Sequence, residues 1–328
     1  VTLGAGGAAA LVAYAAFALP QGGPWLPASV LFNAPLMQSR AVDPLPPFAA
    51  RIPEAFLRQR HEHLPVLLIA IAWLLLPRRR VTGATASAAR VLLVVTATTI
   101  LLHAQLAGFD GFFRRYEAYW MMLGCFGVVT ALAAGLGGLP DGLAERLPSV
   151  RPAWVAALFA LGVATPFVIR GHQITYWTPR AAQNIYEQQI QMARFVDASF
   201  RGRVVAINDL GAVGYFGGAR VIDLCGLASP PVVRAIIAHR FDTAFIERYC
   251  REEDVDLAML YESWFRGAAR LPDSWTPVAR WTIRDNLIAG DAVVTVFATD
   301  STHADVVRAA ERRFAETLPP RVIAEPLP

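Results

Sequence analysis

Up to Arg170 the chain alternates long apolar runs with polar turns, and after it the rhythm changes. The apolar runs cover 2–19, 64–77, 91–107, 118–138 and 153–169. A membrane-crossing helix needs about 20 apolar residues, with about 17 as the lower edge, so each run reads as a span or nearly one, and 64–77 is the shortest. Between them lie a long loop at 20–63, an arginine-rich turn at 78–90, an aromatic loop at 108–117 and a polar turn at 139–152. The pattern predicts a membrane α-helical bundle of about five transmembrane helices over residues 1–170, with 20–63 as an external loop.

From 171 to 317 the alternation is that of an α/β domain, followed by a Pro-rich tail at 318–328. Residues 180–200 read as an amphipathic helix, because Ile185, Ile190, Met192, Phe195 and Val196 recur near helical spacing. Strands are predicted at 203–208, 219–222, 255–260, 276–283 and 292–298. Helices are predicted at 231–238, 242–252 and 303–317, the last with Ser301 or Thr302 as its N-cap.

Composition sharpens this division. Hydrophobic residues make up 55% of the chain and charged ones 17%, against about 45–50% and about 25% in soluble domains. All basic residues are Arg, in keeping with a GC-rich bacterial source. Residues 1–170 carry 13 Arg against 7 acids, and 171–328 carry 17 Arg against 19 acids, so the net charge of +4 belongs to the apolar half. That distribution excludes a nucleic-acid-binding surface as the expected partner face.

Strict alternation places loops 78–90 and 139–152 on one side and loops 20–63 and 108–117, with the C-terminal half, on the other. Arg78, Arg79, Arg80, Arg90, Arg146 and Arg151 make the first side cytoplasmic, which exports the α/β domain from the bacterial inner membrane. In an oxidising compartment Cys225 and Cys250 could pair, while Cys125 lies in an apolar run.

Residues 204–230, VVAINDLGAVGYFGGARVIDLCGLASP, look at first like a nucleotide-binding βαβ unit. The glycine order is not G-x-G-x-x-G, and Asp223 follows the first glycine by about 12 residues rather than about 20. The span between the strands is also short for a helical crossover. The glycines therefore read as tight turns and close packing.

The run N-D-L-G-A-V-G-Y-F…R-V-I-D-L-C-G-L-A-S-P instead resembles the exported C-terminal domain of bacterial polytopic glycosyltransferases of the GT-C superfamily, the polyprenyl-phosphate-sugar-dependent mannosyl- and arabinosyltransferase-like proteins. G-P-W-L-P-A-S-V at 23–30 is similar to that family's external-loop segment, although Phe32-Asn33 stand where a basic residue is expected. F-F-R-R-Y-E-A-Y at 112–119 is similar to its arginine-tyrosine segment at the outer membrane face. The resemblance implies transfer of a sugar from a polyprenyl-phosphate donor to an envelope glycan, glycolipid or protein acceptor. In that family the catalytic base is an Asp or Glu in the first external loop, ahead of several helices. No residue here takes that place, so the resemblance covers the family's C-terminal portion and implies either a piece of a longer transferase or a relative lacking the base.

The resemblance makes Arg114, Arg115, Tyr116 and Glu117 the donor-phosphate-binding segment; an arginine fork can chelate phosphate oxygens. Glu117 lies one helical turn from Arg114 and is expected to pair with it. The same residues also suit an interfacial anchor, since Phe112, Phe113, Tyr119 and Trp120 would form an aromatic belt and the arginines would reach for headgroups. Asp43 and Glu54, the acids of loop 20–63 ahead of His61-Glu62-His63, are the candidate general bases, or else solvated loop acids. His61 and His63 are the metal candidates, but residues two apart on a helix point to different sides; no cofactor is expected. Polar His103 and Gln105 near the end of an apolar run are expected to pack within the bundle. Asn208, Asp209 and Asp223 end strands, where they would bind acceptor hydroxyls or else fix turns. The alternative to an enzyme is a non-catalytic membrane protein whose exported domain is a carbohydrate-binding or assembly module.

Overall fold

The computed structural model describes residues 2–27, 63–106 and 117–328. The chain divides into two compact units, Val1–Ser29 with Trp177–Pro328, and Val30–Tyr176.

The Val30–Tyr176 unit is helical. Its elements are α2 (His63–Leu75), α3 (Ala84–Leu106), α4 (Ala118–Ala133), the single turn α5 (Asp141–Ala144) and the first part of α6 (Pro152–Ile185); α1 (Thr2–Ala18) belongs to the other unit. Leu67, Ile71 and Leu74 of α2, Leu93 and Ile100 of α3, Trp120 and Val128 of α4 and Val163 of α6 share one core. Helices approach closely where α4 presents Gly124 and Gly127: a Cβ at Gly124 would stand 2.7 Å from Leu67 Cδ2, and one at Gly127 3.0 Å from Leu93 Cδ2. Small residues at such contacts are how apolar helices pack without a hydrophobic driving force. His103, buried, meets the Tyr119 hydroxyl at 2.7 Å, as a bundle-packing residue does.

The expectation of about five spans is overturned. Among the described residues two helical runs are long and apolar enough to cross a membrane, Ala84–His103 and the 48-residue run Pro152–Ser199, most of whose apolar window is exposed. The other apolar helices are shorter among the described residues: α1 has 17 residues, α2 13 and α4 16. The reason lies in the residues that end them, Pro20, Pro77 and the left-handed Gly135, which close helices before the hydropathy fades.

Two arginine-bearing loops meet at one end of this unit. The buried Arg78 donates from Nε and Nη2 to Gly138 O (3.0 and 2.8 Å) and from Nη1 to Trp73 O and Leu76 O, while the Arg79 N–H donates to the Asp141 carboxylate. Arg78 is thus a staple across the end of α2, satisfying carbonyls the helix leaves open.

The other unit is built on a six-stranded mixed sheet, β1 (Val204–Ile207), β2 (Arg220–Asp223), β3 (Leu257–Leu260), β4 (Thr276–Ile283), β5 (Val293–Ala298) and β6 (Val322–Pro326), in the order β2-β1-β3-β5-β4-β6. β2, β1 and β3 are parallel; β5, β4 and β6 continue antiparallel. Alternation along β1 and β3 sends Val205, Ile207, Leu257 and Met259 to one face, beside Phe195 and Val196 of α7 (Gln191–Ser199) and Val307 of α11 (Ala304–Ala315). It sends Ala206, Ala258 and Leu260 to the other, beside Val232 of α9 (Pro230–Ile237) and Ile246 of α10 (Thr243–Glu252). A short helix α8 (Gly211–Phe216) joins β1 to β2.

Three local expectations change. The helix over 180–200 contains a π-turn at Tyr186–Ile190, which rotates its inward stripe so that Asn184, Glu187, Gln188 and Gln191 are buried while Ile185 and Ile190 are only half-buried. Asp300, rather than Ser301 or Thr302, supplies the cap ahead of α11, accepting from the Thr302 N–H at 2.8 Å. Within the Pro-rich tail, Val322–Pro326 forms the edge strand β6 on β4.

Candidate functional site

Parallel strands gather their C-terminal ends along one sheet edge, and here the connection after β1 runs to β2 on one side while that after β3 leads to the antiparallel strands on the other. The ends of β1 and β3 therefore form a topological switch point, the usual place for a ligand in an open α/β sheet. Asn208 and Asp209 follow β1 at this point, and Tyr261 follows β3.

Asn208 is buried, and its Oδ1 accepts from the Tyr261 backbone N–H at 3.2 Å, tying the two strand ends together. Its Nδ2 is buried with no hydrogen-bond partner among the described residues. The half-buried Asp209 carboxylate accepts from Gln189 Nε2, and the Tyr261 hydroxyl lies 3.2 Å from its Oδ2. The same hydroxyl lies 2.7 Å from Gln188 Oε1, and its single hydrogen goes to this nearer acceptor. Burial first, and then the Asp209 charge, raise the Tyr261 phenol well above its ordinary range, so it remains a hydrogen-bond donor at neutral pH. Gln188 Nε2 in turn donates to Asp291 O at 2.9 Å, fixing the loop between β4 and β5.

Gln188, Gln189, Tyr261 and Trp264 escape a reading by sequence neighbourhood. The π-turn that presents the two glutamines is itself a feature often found at functional sites, but it leaves no composition signal.

Asp223 has a different task. Its Oδ1 and Oδ2 accept from the Cys225 and Ala228 N–H groups, each at 2.8 Å, and its own N–H donates to Ser229 Oγ. It fixes the turn after β2. All three cysteines are free thiols; burial, followed by the charges of Asp223 and Asp209, pushes Cys225 up to about 12, and burial with Glu253 does the same to Cys250.

In the helical unit Glu117 pairs with Arg170, Oε2 to Nη1 at 2.8 Å, with side chains 2% and 8% exposed. Arg170 is a site residue that the sequence pattern presents only as the end of an apolar run. The pair lies at the start of α4 and midway along α6, away from the stapled arginine loops. Arg114, Arg115, Tyr116, Asp43, Glu54 and His61 lie outside the described residues, and His63 opens α2. Among the described residues no group of three His, Cys, Asp or Glu is placed to hold a metal ion.

A cavity of about 320 Å³ opens at the opposite edge of the sheet, lined by Glu247, Cys250, Asp254, Asp256 and His303. It contains none of the strand-end residues above.

A family model described as a domain of unknown function, DUF8728, matches residues 183–297. That stretch contains Gln188, Gln189, Asn208, Asp209, Tyr261 and Trp264. No curated protein and no solved structure matches the chain.

Proposed function

We propose that the chain is a membrane-bound sugar transferase of the GT-C type, or the C-terminal part of one, working on a polyprenyl-phosphate-linked donor and an envelope acceptor. The observation that carries this reading is the buried Glu117–Arg170 pair. An ion pair at membrane depth is costly to maintain and marks a working site more often than a structural one. Glu117 directly follows Arg114-Arg115-Tyr116 in the chain, the segment proposed to hold the donor phosphate. The arginines would neutralise charge gathering on the departing phosphate.

The location proposed is the bacterial inner membrane, with the α/β unit outside. Supporting it, Trp154 and Tyr176, both exposed, stand 22 residues apart on one helical run. That is about 33 Å of α-helix, the spacing of the two aromatic belts of a bilayer. Arg79, Arg80, Arg146 and Arg151 remain exposed in the two loops that meet at one end, as a cytoplasmic face requires.

The test uses membranes containing the full chain and a radiolabelled polyprenyl-phosphate mannose, followed by the arabinose analogue. Arg115→Ala is expected to lower label transfer about a hundredfold, the scale of losing one charge-stabilising donor, with membrane abundance unchanged. Wild-type membranes that transfer neither sugar would replace this reading with a non-catalytic, carbohydrate-binding or assembly role.

A further inference from the structure

We infer that the switch point at the ends of β1 and β3 is a binding site for a neutral polyhydroxylated ligand, a sugar residue or a short glycan, held by Asp209, Asn208 and Gln189 against the ring of Trp264. The first ground is position: this is the one switch point among the parallel strands of the described sheet, where neighbouring connections diverge.

The second is an unsatisfied donor. Asn208 is 3% exposed and its Oδ1 is committed to Tyr261, but its Nδ2 has no partner among the described residues. A buried amide donor left unpaired is destabilising, a cost that a ligand hydroxyl oxygen would remove.

The third is the mix of groups. Asp209 accepts from Gln189, which orients its carboxylate, and the Tyr261 hydroxyl lies beside it. A carboxylate and carboxamides at one point accept and donate to the vicinal hydroxyls of a sugar ring. The fourth is an aromatic plane. Trp264 is 42% exposed with its ring centroid 5.2 Å from that of Tyr261. Its Nε1 donates to Gly290 O at 3.4 Å, and a Cβ at Gly290 would come within 2.8 Å of Tyr261 Cε2, so the β4–β5 loop backs this aromatic pair closely. An indole face of this kind packs against the C–H face of a sugar while hydrogen bonds take its hydroxyls.

The site deepens the transferase reading by giving the acceptor a place, but binding tests it without any transfer. The experiment is saturation-transfer difference NMR on the full chain in nanodiscs, with methyl α-mannopyranoside and methyl α-arabinofuranoside as separate probes and inorganic phosphate as a competitor. We expect signal from at least one glycoside, and phosphate should not displace it. Asp209→Asn and Trp264→Ala should each weaken that glycoside about tenfold or more, the loss of a charged hydrogen bond or of a stacking face. Glu247→Gln, at the opposite edge of the sheet, should bind as wild type, and thermal melting checks that each variant is folded. Absence of glycoside binding by wild type overturns the site, and so does undiminished binding by folded Asp209→Asn and Trp264→Ala. A chain that binds in this way yet transfers no sugar overturns the transferase reading alone. A chain that transfers sugar while both variants bind normally overturns the site alone.

Discussion

Asp223 sits at the end of β2 with both carboxylate oxygens taken by N–H groups of the turn that follows. Burial outweighs these donors and raises its carboxyl above the ordinary value. The folded chain therefore holds this proton more tightly than the unfolded one, so its contribution to stability is present below the ordinary carboxylate range and lost as pH rises through the raised value. Asp223→Ala leaves two turn N–H groups without their acceptor and should cost about 1–3 kcal/mol, read as a lower denaturation midpoint. An unchanged midpoint would mean the turn holds itself. Asp209, an acid equally placed after a strand, is half-buried and meets the side chains of Gln189 and Tyr261. Local pattern finds both acids, since strand ends followed by glycine are visible in the sequence. It does not tell them apart, because the distinction lies in which donors the fold brings to each.

At the scale of elements, the helix leading into the sheet shows where periodicity fails. A 3.6-residue repeat points Ile185 and Ile190 inward, but the π-turn inserts a residue and brings Glu187 and Gln188 to the sheet side instead. Gln188 then meets Tyr261, 73 positions away, and Asn184 accepts from the Leu287 N–H at 2.8 Å. The helix buries polar groups because loop 284–292 supplies their partners. In the helical unit the corresponding device is small residues. Gly124→Val should drive a branched side chain into Leu67 and Thr96 and separate α4 from α2 and α3. Overpacking of this kind costs about 1–3 kcal/mol, and a lower melting temperature in detergent would register it. Wild-type melting would show that the helices do not depend on this approach.

For the whole molecule, two helical runs carry the argument for a membrane. Carbonate-washed membranes should retain the chain. Leu161→Arg with Val168→Arg, both exposed on the run Pro152–Ser199, should release a substantial part of it. Each arginine near the middle of a span opposes insertion by about 2.5–3.5 kcal/mol. Full release of the wild type by carbonate would remove the membrane from the account.

Hydropathy along the chain marks the apolar runs before Arg170, most of the strands and helices that follow, and the carboxylates at the strand ends. These are local properties, set by the period of apolar residues and by the glycines and prolines that interrupt it. The pairing of Glu117 with Arg170, the sixth strand, and the meeting of Asn208 and Asp209 with Gln189, Tyr261 and Trp264 were decided by tertiary structure. Each depends on contacts between residues tens of positions apart. Strand order and packing set those contacts, and no local repeat encodes them.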